Sequence, residues 1–264
     1  VNQYGVIRTD KWLDESFYNP EEMLSKSKGS SNEKRNRGFY QYLKGFGMYQ
    51  PSNFNKNIFE ALKKGSYWQK VDRLYDKYKK LWNGPEVNIY IFPINGANRQ
   101  LIRQTNGKSG VTFEKNLYLF LSPLQDSKEL EALFVHEYHH ATRMHHLNKR
   151  PLDYTLLDSL ILEGLAETAV EEYCGEEYLA EWTRGYSERH LQRFWKSDFK
   201  ERLTINRRNW MHDDLLFGRK FVPRMMGYAI GYKIISEYKK YHEFSIERTI
   251  SAPSEDLLID NFLQ

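Results

Sequence analysis

The sequence predicts an α+β fold in which a small, mostly antiparallel sheet leads into a long helix. A largely helical C-terminal part comes after it, and a helical extension precedes the sheet. Three observations carry this. Within residues 86–122, Val87, Ile89 and Ile91 alternate with Asn88, Tyr90 and Phe92, and Asn116 to Ser122 form a second apolar run, so both read as strands. A run free of Gly and Pro then leads from Leu130 into His136-Glu137-Tyr138-His139-His140. Beyond residue 123, capped helix starts replace strand alternation.

In chain order, residues 1–82 read as a mostly helical region packed on the rest of the chain, and 83–264 as the chemistry-bearing domain. Ser25 to Gly38 is polar and charged and reads as a loop. Ile58 to Trp82 has helical spacing, with Leu62, Trp68, Val71, Leu74, Tyr75 and Tyr78 as core positions. Asn106-Gly107-Lys108-Ser109-Gly110 reads as the turn between the strands. Asp126-Ser127-Lys128-Glu129 resembles a capping box and opens the long helix, which places Leu133 in the core. Thr155-Leu156-Leu157-Asp158 starts a second helix over Ser159 to Tyr173, ending near Gly175. No internal repeat is present.

The spacing of His136 and His140 is a chemical statement. Residues four apart share a helix face, so two imidazoles can meet one metal ion, with Glu137 beside them as a general base. Zinc chemistry needs a third protein ligand and one open position. The motif therefore implies a zinc hydrolase, usually a peptidase. The plain alternative is a solvated, histidine-rich helix, because His139, His145 and His146 crowd the same region. Leu130, Phe134 and Val135 are too apolar for that.

Glu163 is the preferred third ligand. Glu163 and Glu167 lie four apart on a helix face kept apolar by Leu160, Ala166 and Val170, where an uncompensated carboxylate is costly. Metal at Glu163 and an imidazole N–H at Glu167 would answer both costs. Gly164 weakens its helix but lets another approach closely. The competitor is His146, six residues after His140; reaching back would need a helix-ending glycine where this chain has Arg143. His139 and His145 have the wrong phase and read as surface or supporting residues.

With these residues in view, the chain resembles the YjaZ-like family of predicted bacterial zinc-dependent proteases, a domain of unknown function. The resemblance rests on His136 to His140, Leu156 to Ser159, Glu163 to Glu167, Gly227 to Tyr232 and, more loosely, Trp82 to Pro85, and covers most of the chain. It is similar more broadly to the gluzincin arrangement, H-E-x-x-H plus a Glu on a later helix. It implies a zincin-like fold, Zn2+ held by His136, His140 and Glu163, and Glu167 orienting a ligand histidine. The interval from His140 to Glu163 is longer than in the best-known gluzincins, and Leu162 replaces their Asn.

A peptidase also needs a donor for the oxyanion. Tyr228 and Tyr232 lie four apart on one helix and either phenol could serve, as could His190 or His212; the alternative is that both tyrosines pack in the core while Gly227 and Gly231 permit close helix contact. A net charge of +4 over 264 residues does not call for nucleic acid. The basic stretch Lys26, Lys28, Lys34, Arg35 and Arg37 beside Tyr40 and Tyr42 would be the route to a single-strand binder, but Glu33 interrupts it. The other rival is a zinc-binding regulator or scaffold without turnover. Cys174 is the only cysteine and reads as a small buried residue near a helix end. No apolar run approaches membrane-spanning length, and Val1 to Gly5 has neither a signal pattern nor Met, as in a trimmed end. The expectation is a cytoplasmic enzyme acting on a peptide or protein.

Overall fold

A computed structural model describes residues 4–28, 33–113, 115–260 and 262–263. They form an α+β structure of two compact units, residues 1–141 and 142–264.

The first unit is built on four strands, β1 (Gly5–Val6), β2 (Asn88–Pro93), β3 (Lys108–Phe113) and β4 (Asn116–Leu121), in the order β1-β2-β4-β3. The sheet is mixed, not mostly antiparallel as expected: β1–β2 and β2–β4 are parallel, and only β3–β4 is antiparallel. Strand direction depends on the connections. Between β2 and β4 the chain passes through a short helix and β3, a crossover that returns β4 parallel to β2. Short apolar runs carry no sign of that. β2 and β4 are buried along almost their whole length, as central strands covered on both faces should be. The expected turn is half right. Asn106, left-handed at φ 51°, and Gly107, at φ 73°, turn the chain after a helix over Arg99–Thr105, but Lys108 to Gly110 already belong to β3.

Helices α1 (Thr9–Ser16), α2 (Pro20–Lys28), α3 (Glu33–Lys44), α4 (Asn53–Lys64), α5 (Tyr67–Trp82) and α6 (Arg99–Thr105) complete this unit with most of α7 (Ser127–Leu147). The Ser25 to Gly38 stretch, read as a loop, is helical at both ends; residues 29–32 lie outside the described residues, as do Val1 to Gln3. Charged residues tolerate solvated helix well, and one exposed Gly costs only about 1 kcal/mol. Leu62, Trp68, Val71, Tyr75 and Tyr78 are buried as expected, whereas Leu74 and Leu133 are half-buried. Thr9 ties α1 to the sheet and to α5, its hydroxyl donating to Ile91 O (2.6 Å) and accepting from Trp68 Nε1 (2.9 Å).

The second unit holds the last turns of α7, then α8 (Leu156–Cys174), α9 (Glu188–Phe194), α10 (Trp210–Phe217), α11 (Met226–Tyr241) and α12 (Ile246–Thr249). α8 starts as its sequence dictates: Asp158 N–H donates to the Thr155 hydroxyl, and Thr155 N–H donates back to Asp158, a capping box. It ends at Gly175, and Cys174 is buried beside that end. Nearly every α8 residue up to Val170 is buried, in a core of Leu156, Leu160, Leu165, Trp195, Ile230 and Ile234. α8 and α11 cross backbone to backbone. A Cβ on Gly164 would lie 2.2 Å from Gly231 O, and one on Gly231 would lie 2.1 Å from Leu160 O.

Arg143 is buried in this unit. Its Nη1 donates to Thr249 O, Ile250 O and Ala252 O, and its Nη2 to Ser254 Oγ. The Ser254 hydroxyl in turn donates to Asp158 (2.7 Å), which also accepts from Lys149. Burial alone would raise the Asp158 carboxyl; the hydrogen bonds from Ser254, Lys149 and Thr155 outweigh it and hold the group below its ordinary value. Among the described residues no helix is long and apolar enough to cross a membrane.

Candidate metal centre and its surroundings

α7 brings the motif into place because its apolar face is anchored in aromatic side chains. Tyr138 stacks on Trp82 (ring centroids 5.9 Å) and on Phe134 (5.5 Å), meets Tyr75 edge-on, and donates its hydroxyl to Pro85 O. His139 is fully buried with its ring edge-on to Trp82 at 5.8 Å, so it is a core residue rather than a surface one. With that face fixed, His136 and His140 point the other way. Their Nε2 atoms lie 3.1 Å apart with the rings nearly perpendicular. Two nitrogens held about 2.0–2.1 Å from one tetrahedral ion are about 3.3 Å apart.

Glu163 is buried on α8. One ligand atom from each of His136, His140 and Glu163 lies within 4.8 Å of the others, so the three form a cluster that could hold a metal ion. Two imidazole nitrogens and a carboxylate oxygen are a donor set that suits zinc, and three protein donors leave a fourth position open. His145 and His146 are exposed on the last turn of α7, which runs unbroken past Arg143.

Glu137 is held from β3. The Thr112 hydroxyl lies 2.6 Å from Glu137 Oε2 and 3.0 Å from Glu137 O. Gly110, two residues earlier on the same strand face, makes room: a Cβ there would lie 2.6–2.7 Å from the Glu137 side chain. Lys108, two residues earlier again, pairs with Glu129 on α7. Four residues of strand and eight of helix both span about 12–13 Å, so β3 and α7 run side by side in step. Sequence reading missed Thr112 and Gly110. The available signal was the alternation of 108, 110 and 112, hidden by an Asn-Gly turn and a strand glycine.

Glu167 Oε1 accepts the Ala180 N–H at 2.5 Å. Burial, then the charge of Glu171 and hydrogen bonding to it, and then the charge of Glu167 push the Tyr232 phenol well above its ordinary ionisation range. Tyr228 packs edge-on to Trp182 (5.4 Å) and beside Phe217. His190 is exposed and bonded to Ser187 at the start of α9.

His212 is fully buried in a relay of its own. Its Nε2 lies 3.0 Å from the Ser159 hydroxyl and its Nδ1 2.9 Å from Asp213 Oδ1. Ser159 is itself buried in the first turn of α8, which leaves a substrate no access to the hydroxyl. Burial lowers the imidazole from its ordinary 6.5; Arg207 also lowers it, while Asp213 and the Thr155 backbone oppose. A lowered folded-state value means the unfolded chain takes up a proton first. The stability from neutral His212 is therefore full above pH 6.5 and is lost as pH falls below it. Thermal unfolding should show a falling Tm across that window, and His212→Asn should flatten the slope while lowering Tm at neutral pH. An unchanged slope would mean another group titrates.

Of the basic stretch, Lys26 pairs with Glu15, Tyr40 is buried with its hydroxyl on Tyr49 O, and Tyr42 packs on Phe46 and Phe113. The side chains of Lys28, Lys34 and Arg35 lie outside the described residues.

Residues 67–259 match a family model described as "Predicted Zn-dependent protease (DUF2268)". The chain is 35% identical to the uncharacterized protein YjaZ of Bacillus subtilis (strain 168) over 230 residues, 87% of this chain and 88% of that one. It is 23% identical to the uncharacterized protein YjfC of the same organism over 186 residues, 67% of this chain and 61% of that one. No solved structure matches the chain.

Proposed function

Because the chain belongs to this YjaZ-like family of predicted zinc-dependent proteases, we propose that it hydrolyses peptide bonds as a zincin-like metallopeptidase, with residues 83–264 as the catalytic part and 1–82 as a helical region packed on it. The single observation that carries the reading is the convergence of His136, His140 and Glu163. These three would hold Zn2+. When bound, zinc supplies Lewis-acid polarisation of a carbonyl and lowers the pKa of water.

The remaining work belongs to the chain. Glu137 takes the proton of the attacking water and passes it to the leaving amine. Thr112 fixes the Glu137 carboxylate through the 2.6 Å hydrogen bond. Glu167 orients one of the ligand imidazoles. Tyr228 and Tyr232 are the phenols we assign to the developing oxyanion. β3, at the end of the sheet order, offers its outer edge to a substrate backbone.

The test is metal content beside turnover. One zinc per chain is expected in the parent and in His146→Ala, and an affinity loss of at least about a hundredfold in His140→Ala and Glu163→Ala. Zinc retained without Glu163 would remove it from the ligand set. Zinc bound with no turnover on casein or peptide libraries would favour a scaffold.

Thr112→Val should lower kcat about tenfold, with KM and zinc content unchanged, and Thr112→Ser should restore it. An unaffected kcat would leave Thr112 a merely structural role.

A further inference from the structure

Three large apolar side chains of the second unit stand in solvent: Phe221 is 96% exposed, Trp210 66% and Leu152 55%. They are linked. The Lys220 ammonium sits 3.8 Å over the Trp210 ring, and Phe221 is the next residue. Arg208, two residues before Trp210, bonds to Asp153, the neighbour of Leu152. The segment carrying Phe221 is not loose. Arg219 N–H donates to Asp214 O and Met225 N–H to Phe217 O, folding 218–225 back onto α10.

The charge around them has one sign in excess. Asp153 is shared by Arg150 and Arg208, and Asp214 by Arg219 and Lys220, so each acid is outnumbered two to one. Arg207 adds another cation, over the Tyr154 ring, and Asp213 adds a carboxylate. Exposed Trp and Phe among arginines and a lysine are the composition of surfaces that seat at the bilayer interface, where aromatic rings enter the headgroup boundary and cations meet anionic lipid. A protein-binding patch is also rich in Trp, Phe and Arg but depletes Lys and Asp from its centre. Here Lys220 lies over the Trp210 ring, and Asp153 and Asp214 stand beside the exposed residues.

We propose that this face of the second unit docks peripherally on an anionic membrane surface, with Phe221 and Trp210 entering the headgroup region and Arg150, Arg208, Arg219 and Lys220 meeting lipid phosphates and carboxylates. The proposal is independent of the peptidase reading.

The experiment is co-sedimentation of the full chain with vesicles of phosphatidylcholine alone and of phosphatidylcholine mixed with phosphatidylserine. Binding is expected only to the mixed vesicles, and it weakens as salt rises. The double variant Trp210→Ser, Phe221→Ser should lose about tenfold or more in partitioning, with its thermal unfolding unchanged because both side chains are exposed. Lys220→Glu with Arg219→Glu should weaken binding to the mixed vesicles further. Equal binding to both vesicle types, no binding to either, or an unaffected double variant would overturn the proposal. So would a dimer in solution that the double variant dissolves, since the face would then be covered by a second copy.

Discussion

Glu137→Gln is expected to bind zinc as the parent does and to lose about a thousandfold or more in kcat. The substitution is nearly isosteric, and the amide still accepts the Thr112 hydroxyl through its oxygen. The fold around β3 therefore stays as it is, while a group able to take a proton becomes one that cannot. Ligand geometry is untouched because His136 and His140 are oriented by the Tyr138 face of α7, not by Glu137. Metal analysis and turnover on the same sample separate the two effects. Turnover near the parent's would remove Glu137 as the base, whereas loss of zinc would make it part of the metal site.

Gly231→Ala should cost about 2–3 kcal/mol and lower Tm by about 5–10 °C, although alanine is the better helix former by about 1 kcal/mol. The opposing term is steric. The new methyl would stand 2.1 Å from Leu160 O, so the α8–α11 crossing must open and the core beneath it loosens. Gly38→Ala is the control. It lies exposed within α3 with nothing within 4 Å of its added Cβ, so the same change should stabilise by about 0.5–1 kcal/mol there. Equal signs at the two positions would mean that propensity, not the crossing, decides.

How much was legible in the chain depends on the range of each signal. The capping box at Thr155, the stop at Gly175 and the four-residue spacing of His136 and His140 are local, and each is found where its sequence puts it, with Glu163 of the next long helix close enough to complete a cluster that could hold a metal ion. The role of Gly164 in close helix contact was legible too, because a glycine in a long apolar helix has few other uses. The failures were non-local. Strand direction depends on how the chain travels between β2 and β4, and the half-buried β3 lacks the apolar pattern of a central strand. Thr112 and Gly110 were lost with it, since a residue's value to Glu137 is set by a neighbour some twenty-five positions away. Of the two places offered for His139, the surface one fails, because its phase excludes it from the metal face but says nothing of Trp82, against which it is buried.

The outermost strand of the sheet on the β2 side is only two residues long, yet it pairs Gly5 with Asn88 and Val6 with Ile89. The sheet therefore cannot close until about eighty intervening residues have organised, which makes this pairing a late event in folding. Until it forms, Asn88-Ile89-Tyr90-Ile91-Phe92-Pro93 presents an open edge of high β-propensity with no charge along it, the kind of segment that templates intermolecular pairing. Once paired, Gly5 and Val6 cover the Asn88–Ile89 part of that edge, and a change that breaks this pairing would be felt in yield and solubility before it was felt at the metal centre.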